Sequence, residues 1–579
     1  MFRIVAAALL GAGTSASLLG GAGLQPKAGA PLHGLTPDEE VRFWSGRGEF
    51  SRVLTWQEGL GPIFTSPSCG SCHTTPLGGW GISAVLRFGY VDDSGFDPLV
   101  HLGGPVFQHT ALTPECQEVL PPPPVANIYV FRVTNSSLAA GLIEAIPDAA
   151  ILANADPFDL DGDGVSGRAH LVPVLEECRA TPEGPDCPDG PDGPVAPLRV
   201  GRFGWKAQIA TVLGFSADAA HTELGLTNRV FPVEHAPSGD LDLLALCDHV
   251  ADPEDGPDAE GFHFIDRVTD FQRFLGPPPQ TPRSGMTGEA LFVSIGCAAC
   301  HVPEWTTADD PELEPALRAR TIRPYSDFLL HDMGLLGDGI PDRDAGPLEM
   351  RTPVLWNLAT RPVLLHDGRA ESPSFHERIA GPGGAIWWHN VAGSEAQGAA
   401  SAFFALPEAD QLRVVQFLRS LGRLEFDANR DGKITIVDFN AFRECFVAGD
   451  AGAAVHPDGE CAVHDFDQNG VIDLADFAWF LLAYESIVTD CDGDGIVDLE
   501  AILLGAPDRN GDGIPDDCVG ATCPGDINGD GLVGAADLGA LLAAWGSAEP
   551  LADLDGDGVV DAVDLGVLLA AWGACPPGK

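Results

Sequence analysis

The chain has 579 residues, 84 of them acidic against 32 lysines and arginines, for a formal net charge of −52. That length has room for three or four domains, each burying a core of its own. The charge excludes nucleic acid as a natural partner, because no basic face could dominate such a surface. The acids gather at two-residue spacing toward the C-terminus, which favours bound cations over a merely solvated surface.

The N-terminus reads as a secretory leader over residues 1–30. Arg3 supplies a short basic region, Ile4 to Ala12 an apolar one, and small residues follow through Ala16 and Ser17 to Ala30. The apolar run is too short to span a bilayer and no later one reaches 18 residues. No transmembrane segment is therefore expected, and the location is periplasmic, secreted or at the cell surface.

Residues 31–284 are rich in Gly and Pro, with breaks at Pro121–Pro124 and Pro277–Pro279, and carry Cys69-Gly-Ser-Cys72-His73. Residues 285–422 open on an amphipathic helix from Thr287 that runs into Cys297-Ala-Ala-Cys300-His301. They close on Pro407 to Leu421, apolar at Leu412, Val415, Leu418 and Leu421, which is helical spacing. C-x-x-C-H is the pattern of covalent haem c: two thiols add across the porphyrin vinyls and the adjoining imidazole reaches the iron. A redox dithiol, a disulfide or half a zinc site are the bland alternatives, but no His-x-His or further C-x-x-C completes a zinc set. Two covalent haems are the reading, with Cys69, Cys72, Cys297 and Cys300 as attachment points and His73 and His301 as iron ligands. Export fits, and it permits disulfides among the other cysteines.

The tail repeats acidic loops. A calcium loop places oxygens at positions 1, 3 and 5, a carbonyl at 7 and a carboxylate at 12, with Gly at 6. Residues 423–486 hold two: one of Asp427, Asn429, Asp431 and Asp438, the other of Asp465, Asp467, Asn469 and Asp476. Residues 487–522 hold Asp490, Asp492, Asp494 and Asp498, then Asp508, Asn510, Asp512 and Asp516, which resemble thrombospondin type 3 repeats. Residues 523–579 hold Asp526, Asn528, Asp530 and Asp537, then Asp553, Asp555, Asp557 and Asp564, inside an internal repeat of Asp537–Gly546 as Asp564–Gly573. Regular turn glycines argue for calcium over disordered acid. Asp at position 12 with one helix after each loop resembles a dockerin, which implies a cell-surface or cohesin-like partner. The Ser/Thr pairs typical near the loop end read Ala535-Ala536 and Ala562-Val563 here. Cys523–Cys575, Cys445–Cys461 and Cys491–Cys518 are candidate disulfides. The fold class expected is mainly α: two cytochrome c-like haem domains with long loops, then EF-hand/dockerin-like repeats.

Further strings carry a family resemblance: Gly141-Leu-Ile-Glu-Ala-Ile-Pro147, Asp159-Leu-Asp-Gly-Asp-Gly-Val-Ser-Gly-Arg168, Gly201-Arg-Phe-Gly-Trp-Lys206, Leu330-His-Asp-Met-Gly334, Arg351-Thr-Pro353 and His366-Asp-Gly-Arg-Ala370. Over roughly residues 40–422 they resemble the bacterial di-haem oxidoreductases labelled thiol oxidoreductase-like. The second half is also similar to di-haem cytochrome c peroxidases and MauG-type enzymes. The resemblance implies an open, peroxidatic haem at His73 and a six-coordinate relay at His301, fed by a small cytochrome or cupredoxin donor. For the sixth ligand it implies His389 in Ile386-Trp-Trp-His389, then His376, then Met333. Trp205 is either an aromatic relay between the haems or a core tryptophan. Glu144 is either a distal acid–base or a helix-surface residue. Asp159, Asp161 and Asp163 have calcium-loop spacing with His170 at the twelfth place, fitting a partial site or a turn. The function expected is an exported, peroxidase-like di-haem oxidoreductase; the alternative is a non-catalytic di-haem electron carrier.

Overall fold

Glu425 begins a second compact unit; the first is Gln25–Leu424. The computed structural model describes residues 25–181, 184–187, 196–281, 286–446, 460–466, 471–492, 494–519, 525–528, 532–547, 549, 551–555 and 558–574. The leader expected at the N-terminus lies outside them as far as residue 24. No helix among the described residues is long and apolar enough to cross a membrane.

The mainly α expectation is corrected. Helices hold 35% of the chain and strands 13%, so the fold is mixed α/β. Much of the difference lies in residues 84–133. There β1 (Ala84–Asp92) pairs antiparallel with β2 (Gly95–Asp97), β3 (Val106–Phe107) and β4 (Ile128–Val133), with Leu86 opposite Phe131. Alternating apolar residues in Ala84-Val-Leu-Arg-Phe-Gly-Tyr-Val form this sheet, a period of two inside a region whose Gly and Pro content suggested loops.

The first unit's helices position its motifs. α1 (Pro37–Ser51) starts on a capping box in which Thr36 and Glu39 satisfy each other's backbone, with Pro37 in the first turn. It buries Phe43 and Phe50 against Phe271 of a helix at Phe264–Phe274. Each such phenyl ring contributes about 1.5–3 kcal/mol by burial. Gly46 lets the two backbones meet, since a Cβ there would lie 2.2 Å from the Arg267 carbonyl oxygen. α2 (Cys69–Cys72) follows, then α3 (Ala140–Glu144), α4 (Val212–Leu224), the helix just described as α5, and α6 (Thr287–Ser294). α7 (Ala385–His389) and α8 (Glu408–Ser420) close the unit, and α6 lies against α8, where a Cβ on Gly288 would sit 2.1 Å from the Arg413 carbonyl oxygen. One apolar cluster takes Leu142, Ile146 and Val200 from the first sequence half and Trp305, Phe328 and Trp356 from the second, so both halves share a core.

In the second unit, helices Ile436–Cys445, Leu474–Ala483, Ala535–Ala543 and Ala562–Ala570 each follow one acidic loop. One helix after each loop is no evidence of an EF-hand, and that part of the expectation is corrected too. Disulfides join Cys445 to Cys461 and Cys491 to Cys518, as the sequence suggested; Cys523 and Cys575 lie outside the described residues. In the first unit Cys116 pairs with Cys247 and Cys178 with Cys187, neither of which the sequence indicated.

Candidate functional site

Gly296, at φ 92°, turns the end of α6 into the Cys297–Ala299 turn and sets Cys300 and His301 beside a cavity of about 380 Å³. His301 Nδ1 lies 2.9 Å from the Tyr325 carbonyl, and burial pulls this imidazole down to about 4. With its proton on Nδ1 it donates to that carbonyl, and Nε2 keeps a free lone pair. His389, at the end of α7, lines the same cavity and repeats the arrangement: Nδ1 is 2.7 Å from the Ala385 carbonyl, and burial lowers its basicity. His376 is exposed on the neighbouring helix Phe375–Ala380 and does not line the cavity, while Met333 does.

Two buried guanidiniums also face this cavity. Arg351 donates to the carbonyls of Gly204 (2.7 Å) and Thr352 (2.9 Å), and Arg361 to that of Val354 (3.0 Å). Neither contacts a carboxylate among the described residues, Arg361 Nε has no acceptor, and burial pulls both groups down, Arg351 to about 10. Apolar walls, two neutral imidazoles, two free thiols and two buried guanidiniums without a carboxylate in contact fit a porphyrin carrying two propionates.

Around the first motif the donors match but the space does not. Ser68 caps α2 by accepting from Ser71 N, and His73 Nδ1 lies 3.1 Å from the Gly79 carbonyl. Burial pulls His73 to about 4, and the Asn135 backbone also hydrogen-bonds its ring. Its cavity is about 50 Å³, far below the roughly 300–1,000 Å³ of ligand pockets. A porphyrin does not fit there in this conformation. The four motif cysteines are the free thiols among the described residues, and burial pushes Cys69 and Cys297 up to about 12.

Trp80, which the sequence reading passed over, lines both cavities. The loop that accepts from His73 through Gly79 also presents Trp80, so a tryptophan seven residues after the motif histidine was the available signal. Its ring lies 6.4 Å from Trp205 and 3.5 Å beneath the Arg361 guanidinium. Trp205 is buried in the wall of the larger cavity, donates from Nε1 to the Val133 carbonyl (2.9 Å), and packs edge-on to His366 at 6.2 Å.

His331 was legible only as part of a family string. It is buried between Asp327 (2.8 Å) and Glu395 (2.9 Å), 3.6 Å from Cys300 Sγ, and the Asp327 carboxylate holds it well above the usual imidazole range against the opposing effect of burial. Glu144 is buried but lines neither cavity: it accepts from Val212 N (2.7 Å) at the start of α4 and pairs with Arg273. Both oxygens are engaged, which makes it a structural carboxylate rather than one aimed at His73.

The acidic loops repeat one geometry. Asp438, Asp476, Asp537 and Asp564 are fully buried, and each accepts from a backbone N–H ten residues earlier, at Ala428, Phe466, Ile527 and Leu554 (2.6–2.9 Å). The other oxygen of each accepts from the N–H three residues earlier, so the twelfth carboxylate caps its helix. Asp427 accepts from Gly432 N, Asp490 from Gly495 N and Asp553 from Gly558 N, which folds each loop about its first position, and Asp508 accepts from Gly511 N.

At the fifth position of two loops the carboxylate closes a turn. Asp431 is exposed and accepts from the Asn429 amide nitrogen (3.1 Å) and from Lys433 N (2.8 Å). Asp512 is likewise exposed and accepts from the Asn510 amide nitrogen (2.9 Å) and from Ile514 N (2.9 Å). In each pair an amide N–H, not an amide oxygen, faces the carboxylate. Each asparagine's Oδ1 accepts from the backbone N–H of the same aspartate, so Asn429 with Asp431 and Asn510 with Asp512 close their turns reciprocally in this conformation. Elsewhere the acids do converge: Asp490, Asp492 and Asp494 bring their oxygens within 4.8 Å of one another, as do Asp159, Asp161 and Asp163. Asp465, Asp526, Asn528 and Asp555 are described, whereas Asp467, Asn469, Asp530 and Asp557 lie outside the described residues.

A family model described as "di-haem oxidoreductase, putative peroxidase" matches residues 128–421. The match contains Cys297–His301 and begins after Cys69–His73. No curated protein and no solved structure matches the chain.

Proposed function

The chain belongs to the di-haem oxidoreductase family, and we propose that it is an exported, peroxidase-like enzyme with two covalently held haems. Haem iron supplies one-electron redox chemistry. His301 and His389 would hold the second haem, both kept neutral by burial with Nδ1 tied to a carbonyl, a donor pair suited to a six-coordinate electron relay. Cys297 and Cys300 would form its thioethers, and Arg351 and Arg361 would meet its propionates. That cavity, with two free imidazoles facing it, is the observation that carries the reading. The assignment of Cys69, Cys72 and His73 to the first haem rests on their donor set and on the family being di-haem. A small cytochrome or cupredoxin donor would supply electrons at the second seat; Trp80 lines the cavities beside both motifs and Trp205 the larger one. The tail loops would bind calcium and tether the enzyme to a cell-surface partner.

The test is oxidation of a reduced donor by peroxide with the purified holoprotein, alongside electron paramagnetic resonance. One low-spin and one high-spin centre with peroxide-dependent turnover is the expected result. The second reading is a non-catalytic electron carrier with both irons six-coordinate. It prevails if no redox state shows a high-spin signal and peroxide leaves the donor reduced.

A further inference from the structure

We propose that Glu234, Asp252 and Glu254, on the loops that follow α4, form a calcium site. Their carboxylate oxygens lie within 4.8 Å of one another. Glu234 is only 7% exposed, and neither of its oxygens meets a hydrogen-bond donor. A buried carboxylate ordinarily sits against donors, a cation or a metal, since burial alone strongly disfavours the charge.

Burial most of all, then Glu254, Asp252 and Asp248, raise the basicity of Glu234. Burial pushes Glu254 up to about 7, with Asp252 adding to it. His235 packs its ring on His221 at 4.1 Å, and burial keeps it neutral. Three carboxylates this close need either a shared proton or a bound cation.

The surroundings pre-position the oxygens. Fully buried Thr227 donates from Oγ1 to Asp252 Oδ1 (2.8 Å) and from its backbone N to Glu254 Oε2 (3.2 Å), while Glu254 N donates to Thr227 Oγ1 (2.9 Å). Both oxygens of Glu234 are left without a protein donor. Asp252 is exposed, which gives an ion a way in and leaves room for waters to complete its shell. An all-oxygen, carboxylate-only set without Cys or His selects a hard cation. Calcium tolerates irregular and bidentate carboxylates, whereas magnesium demands a near-octahedral shell. The ion would clasp the two loops to the C-terminal end of α4, whose first turns, at Val212 and Phe215, line the His73 cavity.

Equilibrium dialysis of the full-length holoprotein against calcium tests this by difference. The Glu234→Gln/Glu254→Gln variant should bind one ion fewer per chain than wild type. In EDTA its melting midpoint should equal or exceed that of wild type, because like charges have been removed, and calcium should raise it less. Asp252→Asn, altered at the surface, should likewise lose one ion and serves if the double variant fails to fold. Unchanged stoichiometry in the folded variants means that a proton holds the cluster together, and it overturns the proposal.

Discussion

Asp338 is the sharpest place to perturb the wall beside Trp205. Its carboxylate is wholly buried and takes Arg132 at 2.7 Å, Lys206 at 3.2 Å and Ile340 N at 3.0 Å. Arg132 comes from β4 next to Val133, which accepts from Trp205, and Lys206 follows Trp205 in sequence. At an effective dielectric of about 20, one contact near 3 Å is worth roughly 5 kcal/mol before desolvation is subtracted. Asp338→Asn leaves two buried cations without that anion, but their costs do not add. Lys206 retains the carbonyls of Gly346 (2.9 Å) and Pro347 (3.1 Å). Burial already holds it down at about 8, and without Asp338 it sheds its proton at neutral pH. Arg132 stays charged, with Asp342 only at 3.8 Å. The net loss should therefore be about 3–5 kcal/mol, the usual cost of removing one partner of a buried pair. Denaturant unfolding at pH 7 measures it as a lower midpoint at unchanged slope. Lys206→Met in the same chain should recover at least about 1 kcal/mol, a coupling that distant sites do not show. A loss below about 1 kcal/mol for Asp338→Asn would refute the reasoning.

Lys206 also predicts a pH dependence. Its folded value of about 8 lies below the ordinary 10.5, so between those values the folded chain binds fewer protons than the unfolded one. Stability should rise by up to about 3 kcal/mol from pH 8 to 10.5, and Lys206→Met should flatten the curve. His389→Ala should convert the second haem to high spin in visible and resonance spectra, whereas exposed His376→Ala should leave it unchanged; the reverse pattern removes His389 as a ligand. A cation 3.5 Å above Trp80 disfavours its radical cation by roughly 5 kcal/mol at an effective dielectric of about 20. Arg361→Gln should therefore increase peroxide-driven oxidation of Trp80 in peptide mass spectra, and equal oxidation in both proteins contradicts this. EDTA should lower the far-UV helical signal of the C-terminal unit while sparing the haem spectrum, and an unchanged signal contradicts calcium in the tail.

The features legible in the sequence are those that chemistry confines to a short stretch of chain. Cys297 to His301 and Cys69 to His73 must lie within five residues because thiols and imidazole address one group, and Ile386–His389 lies on the single short helix that brings its histidine to the cavity. The acidic loops are local as well, since each closes on its own glycine and its own helix cap. Spacing does not tell which atom of a side chain faces inward, however, and at Asp431 and Asp512 the neighbouring asparagine turns its amide nitrogen to the carboxylate. Strands two or three residues long, such as Ile63–Phe64 with Thr110–Ala111, leave no periodicity to read, and their pairing is set by the rest of the fold.

The remainder of the site is built from long-range partnerships, which no local pattern encodes. His331 finds Glu395 across 64 residues of chain, and Glu144 finds Arg273 across 129. The second pairing shows why an apolar neighbourhood in sequence is a poor guide to a carboxylate's chemistry. Leu142, Ile143 and Ala145 suggested an isolated acid with an elevated affinity for protons, yet the fold delivers a guanidinium and a helix N-terminus to the same carboxyl. Glu234 is the opposite case: nothing in Phe231-Pro-Val-Glu-His235 marks it out, and the fold brings it two further carboxylates. Buried polar groups that folding leaves without a partner, Arg361 Nε and both oxygens of Glu234, are therefore where this chain most plainly asks for something other than itself.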